Sequence, residues 1–193
     1  MTHINSIGAG LYSDLSVCRE TYSGTLPVDE AAWKALFATE LANGSAVTAT
    51  AGEYTRIENV REFPSMGTPP NIVNVPVYGS ATSHQIQGQA DAPTMEVTLN
   101  FVGTDWQNTT NYLGAFVGDG TQRAFRFSLL NSQPANYDST MTTGMGTGSV
   151  QNSQYFWIGK IEALQVNPQL TDSNTATLTI SVQSEFFGAY TST

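Results

Sequence analysis

The sequence is poor in the residues that perform chemistry. Of its 193 residues, one is cysteine (Cys18) and two are histidine (His3 and His84). A lone cysteine excludes an intrachain disulfide and a thiolate metal cluster within the chain. Basic residues are also scarce: 7 Lys and Arg stand against 16 Asp and Glu, a net charge of −9. That balance argues against a protein that grips nucleic acid, because affinity for a phosphate backbone comes from Lys and Arg displacing its counterions. Charged residues of both signs make up 12% of the chain, well below the usual quarter. No apolar run approaches the ~20 residues of a membrane-spanning helix. The stretch from Met1 to Ser6 lacks the basic start and apolar centre of a secretory signal, so the expected setting is a reducing cytoplasm. In that setting the triplets at Asn43 and Asn108 are not glycan acceptors.

Apolar and small polar residues fill the space that charge leaves. Hydrophobic residues reach 40%, with nine Phe, eight Tyr and three Trp, which is too apolar for a disordered chain. One domain of this length removes about 70% of its unfolded-chain surface from water. A surface of Thr, Ser, Asn, Gln and Gly suits a β-rich protein that meets many copies of itself better than it suits a freely diffusing enzyme.

The periodicities predict a single domain over residues 1–193. Residues 1–13 read as an arm, followed by a short strand in which Leu15 and Val17 alternate with Ser16 and Cys18. From Asp29, a plausible N-cap, the spacing of Trp33, Leu36, Phe37 and Leu41 predicts a helix with one buried stripe, aided by a Glu30–Lys34 pair and closed by Asn43-Gly44. Residues 46–63 read as extended. Residues 64–93 form a Pro-rich excursion from the core, in which Pro76 restricts any strand to an edge or a bulge. Met95, Val97, Leu99 and Phe101 then alternate with Thr94, Glu96, Thr98 and Asn100 in the clearest strand of the chain. The Thr104–Gln107 spacing of a capping box, followed by Trp106, Leu113, Phe116 and Val117, predicts a helix over 104–117, although Asn108, Thr109, Thr110, Asn111 and Gly114 are poor helix formers. Phe125, Phe127 and Leu129 mark a strand, residues 131–154 a Gly- and Ser-rich flexible loop, and residues 155–166 a strand apolar on both faces near Phe156, Trp157 and Ile158. A last alternation sets Thr175, Thr177, Thr179 and Ser181 against Ala176, Leu178, Ile180 and Val182. It leaves an exposed aromatic tail over 185–193.

A catalytic constellation is not apparent. His84 has no nucleophile elbow near it, the carboxylates have no spacing that argues for paired acid–base work, and the Gly144–Gly148 string lacks the Lys and helix start of a phosphate loop. Trp33, Trp106 and Trp157 sit on apolar faces and read as core. The expectation is a protein that is not an enzyme and carries no cofactor or metal.

Three stretches, IENVREFPSMGTPPNIVNVPVYGS, GQADAPTMEVTLNFVGTDWQN and FWIGKIEALQVNPQLTDSNTATLTISVQ, lie between residues 57 and 183. Their succession is an Asn-Val strand ending in Phe, a Gly-x-x-Asp turn into an alternating strand, and a Gly-Lys-Ile strand followed by a Thr-rich one. It resembles the major tail tube protein of long-tailed, non-contractile bacteriophages (siphophages).

The resemblance implies a β-sandwich tail-tube fold with a flanking helix. Inner sheets join between subunits into a continuous barrel, and hexameric rings stack in a helical assembly around a hollow conduit for genome ejection. It implies a virion tail protein assembled in the host cytoplasm, whose partners are itself, a tape measure protein in the lumen, and tail tip and terminator proteins. DNA would pass without specific binding, and no membrane is involved. The polar strand faces, Glu96, Thr98 and Asn100 or Thr177, Thr179 and Ser181, are the candidates for the lumen, with solvent as the other destination of such a face. Candidate inter-subunit contacts are Met66, Pro69, Pro70, Ile72, Val75 and Tyr78 in the excursion, and Phe186, Phe187 and Tyr190 in the tail. The alternatives are a tube protein of a contractile tail or secretion system, a β-sandwich adhesin, and a carbohydrate-binding module.

Overall fold

The computed structural model of the chain describes residues 13–46, 51–67, 72–79, 81–87, 93–129 and 153–191. Within them the protein is mainly β. In chain order the elements are β1 (Asp14–Cys18), α1 (Glu30–Ala35), β2 (Thr39–Glu40), β3 (Glu53–Arg56), β4 (Val60–Glu62), β5 (Ile72–Val75), β6 (His84–Gln87) and β7 (Thr94–Asn100). A 3-10 turn (Leu113–Phe116) and then β8 (Arg123–Leu129), β9 (Ser153–Asn167), β10 (Thr175–Val182) and β11 (Phe187–Thr191) complete the order.

One large mixed sheet organises the molecule, in the order β2-β3-β1-β8-β9-β10-β7-β4. Its neighbours are antiparallel except for the parallel pair β2–β3. Strand β9 runs for 15 residues and serves two sets of partners. Its first half pairs with β8 from Ser153 to Gly159 and, on the other side, with β11. Its second half pairs with β10 from Gly159 to Asn167. At the crossing a side chain on Gly159 would lie 2.9 Å from the Ser181 carbonyl oxygen, so only glycine allows β9 and β10 to approach so closely.

The alternations explain the core. Leu15 and Val17 of β1, Phe125 and Phe127 of β8 and Trp157 of β9 meet Met95, Val97 and Leu99 of β7 and the Ala176–Val182 series of β10 in one apolar cluster. On the other side of the β1–β8–β9 region, Cys18, Tyr54, Phe156 and Ile158 form a second cluster under Trp33 and Phe37 from α1 and the segment after it. That half of the sheet is therefore covered on both faces. Arg126 and Ser128 are buried as thoroughly as Phe125 and Phe127, where strict alternation predicts a polar outer face. The burial of Arg126 rests on an ionic knot: Asp14 accepts from Arg56 Nε at 2.8 Å and from Ser16 Oγ at 2.7 Å, with Arg126 Nη2 at 4.0 Å. The Arg126 guanidinium lies over the rings of Phe37 and Tyr54.

Both predicted helices are corrected. Asp29 does cap α1, accepting from Ala32 N at 2.8 Å, and the Glu30–Lys34 pair forms at 2.5 Å. The helix stops at Ala35, however, because Thr39 N donates to Gly52 O and Leu41 N to Tyr54 O, so the following backbone is taken into the sheet. Gly52 permits this with a φ of +93°, in a place where a Cβ would lie 2.6 Å from the Ala35 oxygen. The predicted helix over 104–117 is a turn at residues 103–106 and the 3-10 turn at Leu113–Phe116. Low helix propensity leaves the backbone to other partners: Asn43 donates from Nδ2 to Asp105 O at 2.6 Å and accepts at Oδ1 from Leu113 N at 3.1 Å. Trp106, Leu113 and Phe116 nevertheless reach the core, as their apolar character requires.

The C-terminal aromatic segment is also corrected. It is not an exposed tail, since β11 pairs with β9, and Phe186 packs on Trp157, Phe187 on Trp33 and Tyr190 on Phe156 at ring separations of 5.2, 5.1 and 6.0 Å. Apolar rings released by the end of β10 find an uncovered stretch of β9 within the same chain.

Candidate functional site

The six polar residues named as lumen candidates on two separate strands lie on one face. In the register of β10 against β7, Thr177 stands opposite Thr98, Thr179 opposite Glu96, Thr175 opposite Asn100 and Ser181 opposite Thr94. Paired residues of antiparallel strands point to the same side, so Glu96, Thr98, Asn100, Thr177, Thr179 and Ser181 form one continuous array. Its reverse side is Met95, Val97, Leu99, Ala176, Leu178, Ile180 and Val182, all buried.

Sequence reasoning missed the third row. Strand β9 extends the face with Asn167 opposite Thr175, Gln165 opposite Thr177, Ala163 opposite Thr179 and Lys160 opposite Ser181. Glu162 is the additional residue at a bulge, and it accepts from Ser181 Oγ at 2.5 Å. The missed signal is the alternation of Gln165 and Asn167 with Leu164 and Val166, which mirrors that of β10 across the intervening turn. On the opposite side, Glu62 of β4 stands against Thr98, with Arg61 as a bulged residue. The face is thus hydroxyl and amide over most of its extent, with Glu62, Glu96 and Glu162 set against Lys160 and, at the β4 bulge, Arg61.

The margins of this three-stranded region are open. Strand β4 covers β7 only at Thr98 and Leu99, and no described strand pairs with residues 94–97 on that side. At the other margin β8 ends its pairing at Gly159, Gly118 N donates to Ile161 O, and no described strand pairs with residues 163–167 on the β8 side. Both β7 and β9 are antiparallel to β10, so the two open margins run in the same direction.

The excursion contains a second sheet. β5 and β6 form a two-stranded hairpin, Ile72 to Gln87 and Val75 to His84, that joins neither core cluster. Ile72 and Tyr78 are exposed and Val75 half-buried. Met66 instead packs on the main core, which removes it from the freely projecting part. Pro69 and Pro70, the arm up to residue 12 and loop residues 131–152 lie outside the described residues, while Ser153 and Gln154, assigned to that loop by composition, already belong to β9. Phe186, Phe187 and Tyr190 use their packed faces inside the chain.

Potential reactive groups do not converge. Cys18 is buried, and burial above all pushes its thiol up to about 11, with Glu20 and Glu53 adding to the effect against the backbone N–H of Glu20 and Arg123. His84 is exposed on the hairpin. Among the described residues no group of His, Cys, Asp and Glu is arranged to hold a metal ion. A cleft of about 340 Å³ lined by Asn108, Thr110, Phe116 and Arg123 contains one cation, and that cation is already committed: Arg123 donates to Asp119 and to Arg19 O and lies over the Phe116 ring at 3.9 Å. All three tryptophans are core residues. No described helix is long and apolar enough to cross a membrane.

No family model matches the chain, and no curated protein matches it.

Proposed function

We propose that this chain is a structural subunit that polymerises into a tube of the siphophage tail-tube kind, a β-sandwich whose inner sheets join from copy to copy around a channel. The observation that carries the reading is the β9–β10–β7 region, which combines one polar face, acidic on balance, with two margins that no described strand covers and that run in the same direction. Among the described residues each margin leaves backbone N–H and C=O groups without strand partners, a liability that pairing with another chain removes. Rotating a copy about an axis beside the sheet brings the β7 margin of one against the β9 margin of the next in parallel register, and repetition closes a barrel.

The chemistry of the face fits passage more than retention. DNA carries about one negative charge per 1.7 Å of axis. A wall of hydroxyls and amides with more carboxylates than cations offers that polymer little to replace its counterions. The same lack of a cationic grip accommodates a protein filling the channel before ejection, as the tape measure protein does in the tail-tube family. A contractile-tail or secretion tube would use the same face and margins, and it differs in needing a sheath that grips the outside.

Negative-stain electron microscopy of the purified protein, with sedimentation across concentration, tests the reading. Hollow tubes or stacked rings are expected. A monomer that stays inert when purified tail tips are added refutes it and brings the carbohydrate-binding alternative forward.

A further inference from the structure

Asn43 is the one asparagine in the sequence that is followed by glycine. The chemistry open to that pair is intramolecular. The backbone nitrogen of the glycine attacks Cγ of the asparagine, a new N–Cγ bond closes a succinimide ring, and the Cγ–Nδ2 bond breaks. Ammonia leaves with the proton of the glycine amide. Water then adds to either carbonyl of the ring and opens it to aspartate or isoaspartate. Asparagine is thermolabile for this reason. A following glycine makes ring closure easiest, because it has no Cβ to hinder the attack and the freest backbone.

The fold engages every group that this reaction must move. Ala42 to Ser45 form a turn in which Ser45 N donates to Ala42 O at 3.0 Å, and Gly44, with a φ of +88°, takes the third place of a type II turn. Ring closure requires the Gly44 nitrogen to swing round until it is eclipsed with Asn43 Cβ, and that swing dissolves the turn. The attacking nitrogen holds its proton in a bond to Asn111 O at 2.9 Å. The leaving group, Nδ2, donates to Asp105 O at 2.6 Å, and Oδ1 accepts from Leu113 N at 3.1 Å. The Tyr112 ring lies against Gly44, where a Cβ would come within 2.9 Å of it. Arg19, itself buried, fixes the same loop by donating to Ala42 O, Ser45 O and Asn111 O at 3.4, 2.5 and 3.1 Å. Asn43 is only half-buried, so hydrogen bonding and not exclusion of water is the restraint.

The product does not fit the same cage. Aspartate puts a carboxylate oxygen in the place of Nδ2, 2.6 Å from the Asp105 carbonyl oxygen, which opposes two acceptors with no proton between them. Isoaspartate carries the main chain through the side-chain methylene. That lengthens the turn by one atom and breaks its register against Asn111 O.

We propose that Asn43 is a deamidation site held inert by the folded loops, and that its conversion in any opened chain is a one-way exit from the native fold. The site depends on the loops at 42–45 and 103–113 and on no second copy, so it stands apart from the self-assembly reading. The reaction records the time each chain has spent open.

Peptide mass mapping of the full chain tests it. Samples are held at mildly alkaline pH in buffer and in urea, and aspartate plus isoaspartate at position 43 are followed with time. Reaction in the native protein requires three hydrogen bonds of the reacting pair to open, so its rate should be lower than the rate in urea by about a hundredfold. Rates within about threefold of each other overturn the proposal. Aged urea samples are then diluted into buffer, and the refolded and unfolded fractions are separated by size exclusion. The lesion should be enriched in the unfolded fraction by about tenfold. An equal share in both fractions overturns the one-way exit.

Discussion

Replacing Asp14 with asparagine probes whether the buried ionic knot holds the doubly covered half of the sheet together. The Asp14 side chain is 4% exposed and faces two guanidiniums, Arg56 at 2.8 Å and Arg126 at 4.0 Å. Asparagine keeps the shape and one acceptor oxygen but removes the charge. Losing one partner of a buried pair costs about 3–5 kcal/mol, because the other charge is left in a poorly solvated place. Two features soften the loss here: Arg56 keeps Glu40 at 3.9 Å, and Arg126 keeps its positions over Phe37 and Tyr54. The expected loss is therefore about 2–3 kcal/mol, a fall in Tm of about 4–12 °C for a domain of this size. Urea unfolding followed by tryptophan fluorescence gives the number directly, as a lower midpoint at unchanged slope. Asp172→Asn, on an exposed turn, serves as the comparison and should change stability by at most about 0.5 kcal/mol. If Asp14→Asn loses less than about 1 kcal/mol, the knot is a by-product of burial, and the packing of Trp33, Tyr54 and Phe156 carries that half alone.

Three further outcomes are expected. Cys18 should resist iodoacetamide in the native protein at pH 8 and react fully in urea; its contribution to stability is complete below its ordinary value of 9.0 and is lost as pH rises from there toward about 11, so prompt native labelling would contradict its burial. Burial alone would raise Asp119, but hydrogen bonds from Thr121 and Arg123 more than offset it and hold the carboxyl below 3.8. Asp119→Asn should therefore cost up to about 1 kcal/mol above that pH, screened by solvent, and the difference should vanish as pH falls through the depressed value; a difference that persists in acid would disprove the assignment. Gly114→Ala presses a methyl group on the carbonyls of Trp106 and Gln107 and should cost about 1–3 kcal/mol in the same urea assay, whereas a neutral result would mean that the 103–113 loop yields freely.

The strands were legible wherever one face is apolar and the other polar. Met95 to Leu99 and Ala176 to Val182 reveal β7 and β10 by alternation alone, and with them the six named residues that these two strands bring to the proposed channel face, though not the row from β9. What was not legible depended on partners distant in sequence. Nothing local indicates that Asn43 will tie down Asp105 and Leu113, so the apolar spacing from Trp106 to Val117 was read as a helix when it is a loop with buried anchors. Arg126 and Ser128 look like solvent-facing residues until Asp14 is placed beside them across the sheet. Phe186, Phe187 and Tyr190 suggest a sticky tail because the stretch of β9 that receives them lies thirty or so residues earlier and gives no local sign of being uncovered on that side. The open margins of β7 and β9 are likewise a property of the sheet order, which single-strand patterns do not encode.

The 15-residue strand β9 also sets the timetable by which the protein takes shape. It is the only link between β8 and β10 in the sheet order, and all strands of both halves except β10 and β11 precede it in the chain. During synthesis β1, β3, β7 and β8 therefore leave the ribosome before β9 and β10, the strands that unite them, exist. Neither core can close until β9 emerges, and the main core waits further for Ala176, Leu178, Ile180 and Val182 of β10. Pairings this distant in sequence are slow to form, and the waiting strands expose their edges meanwhile. Completion of the main core therefore waits on residues 175–182, and a chain halted before them holds β7 apart from the rest of its sheet.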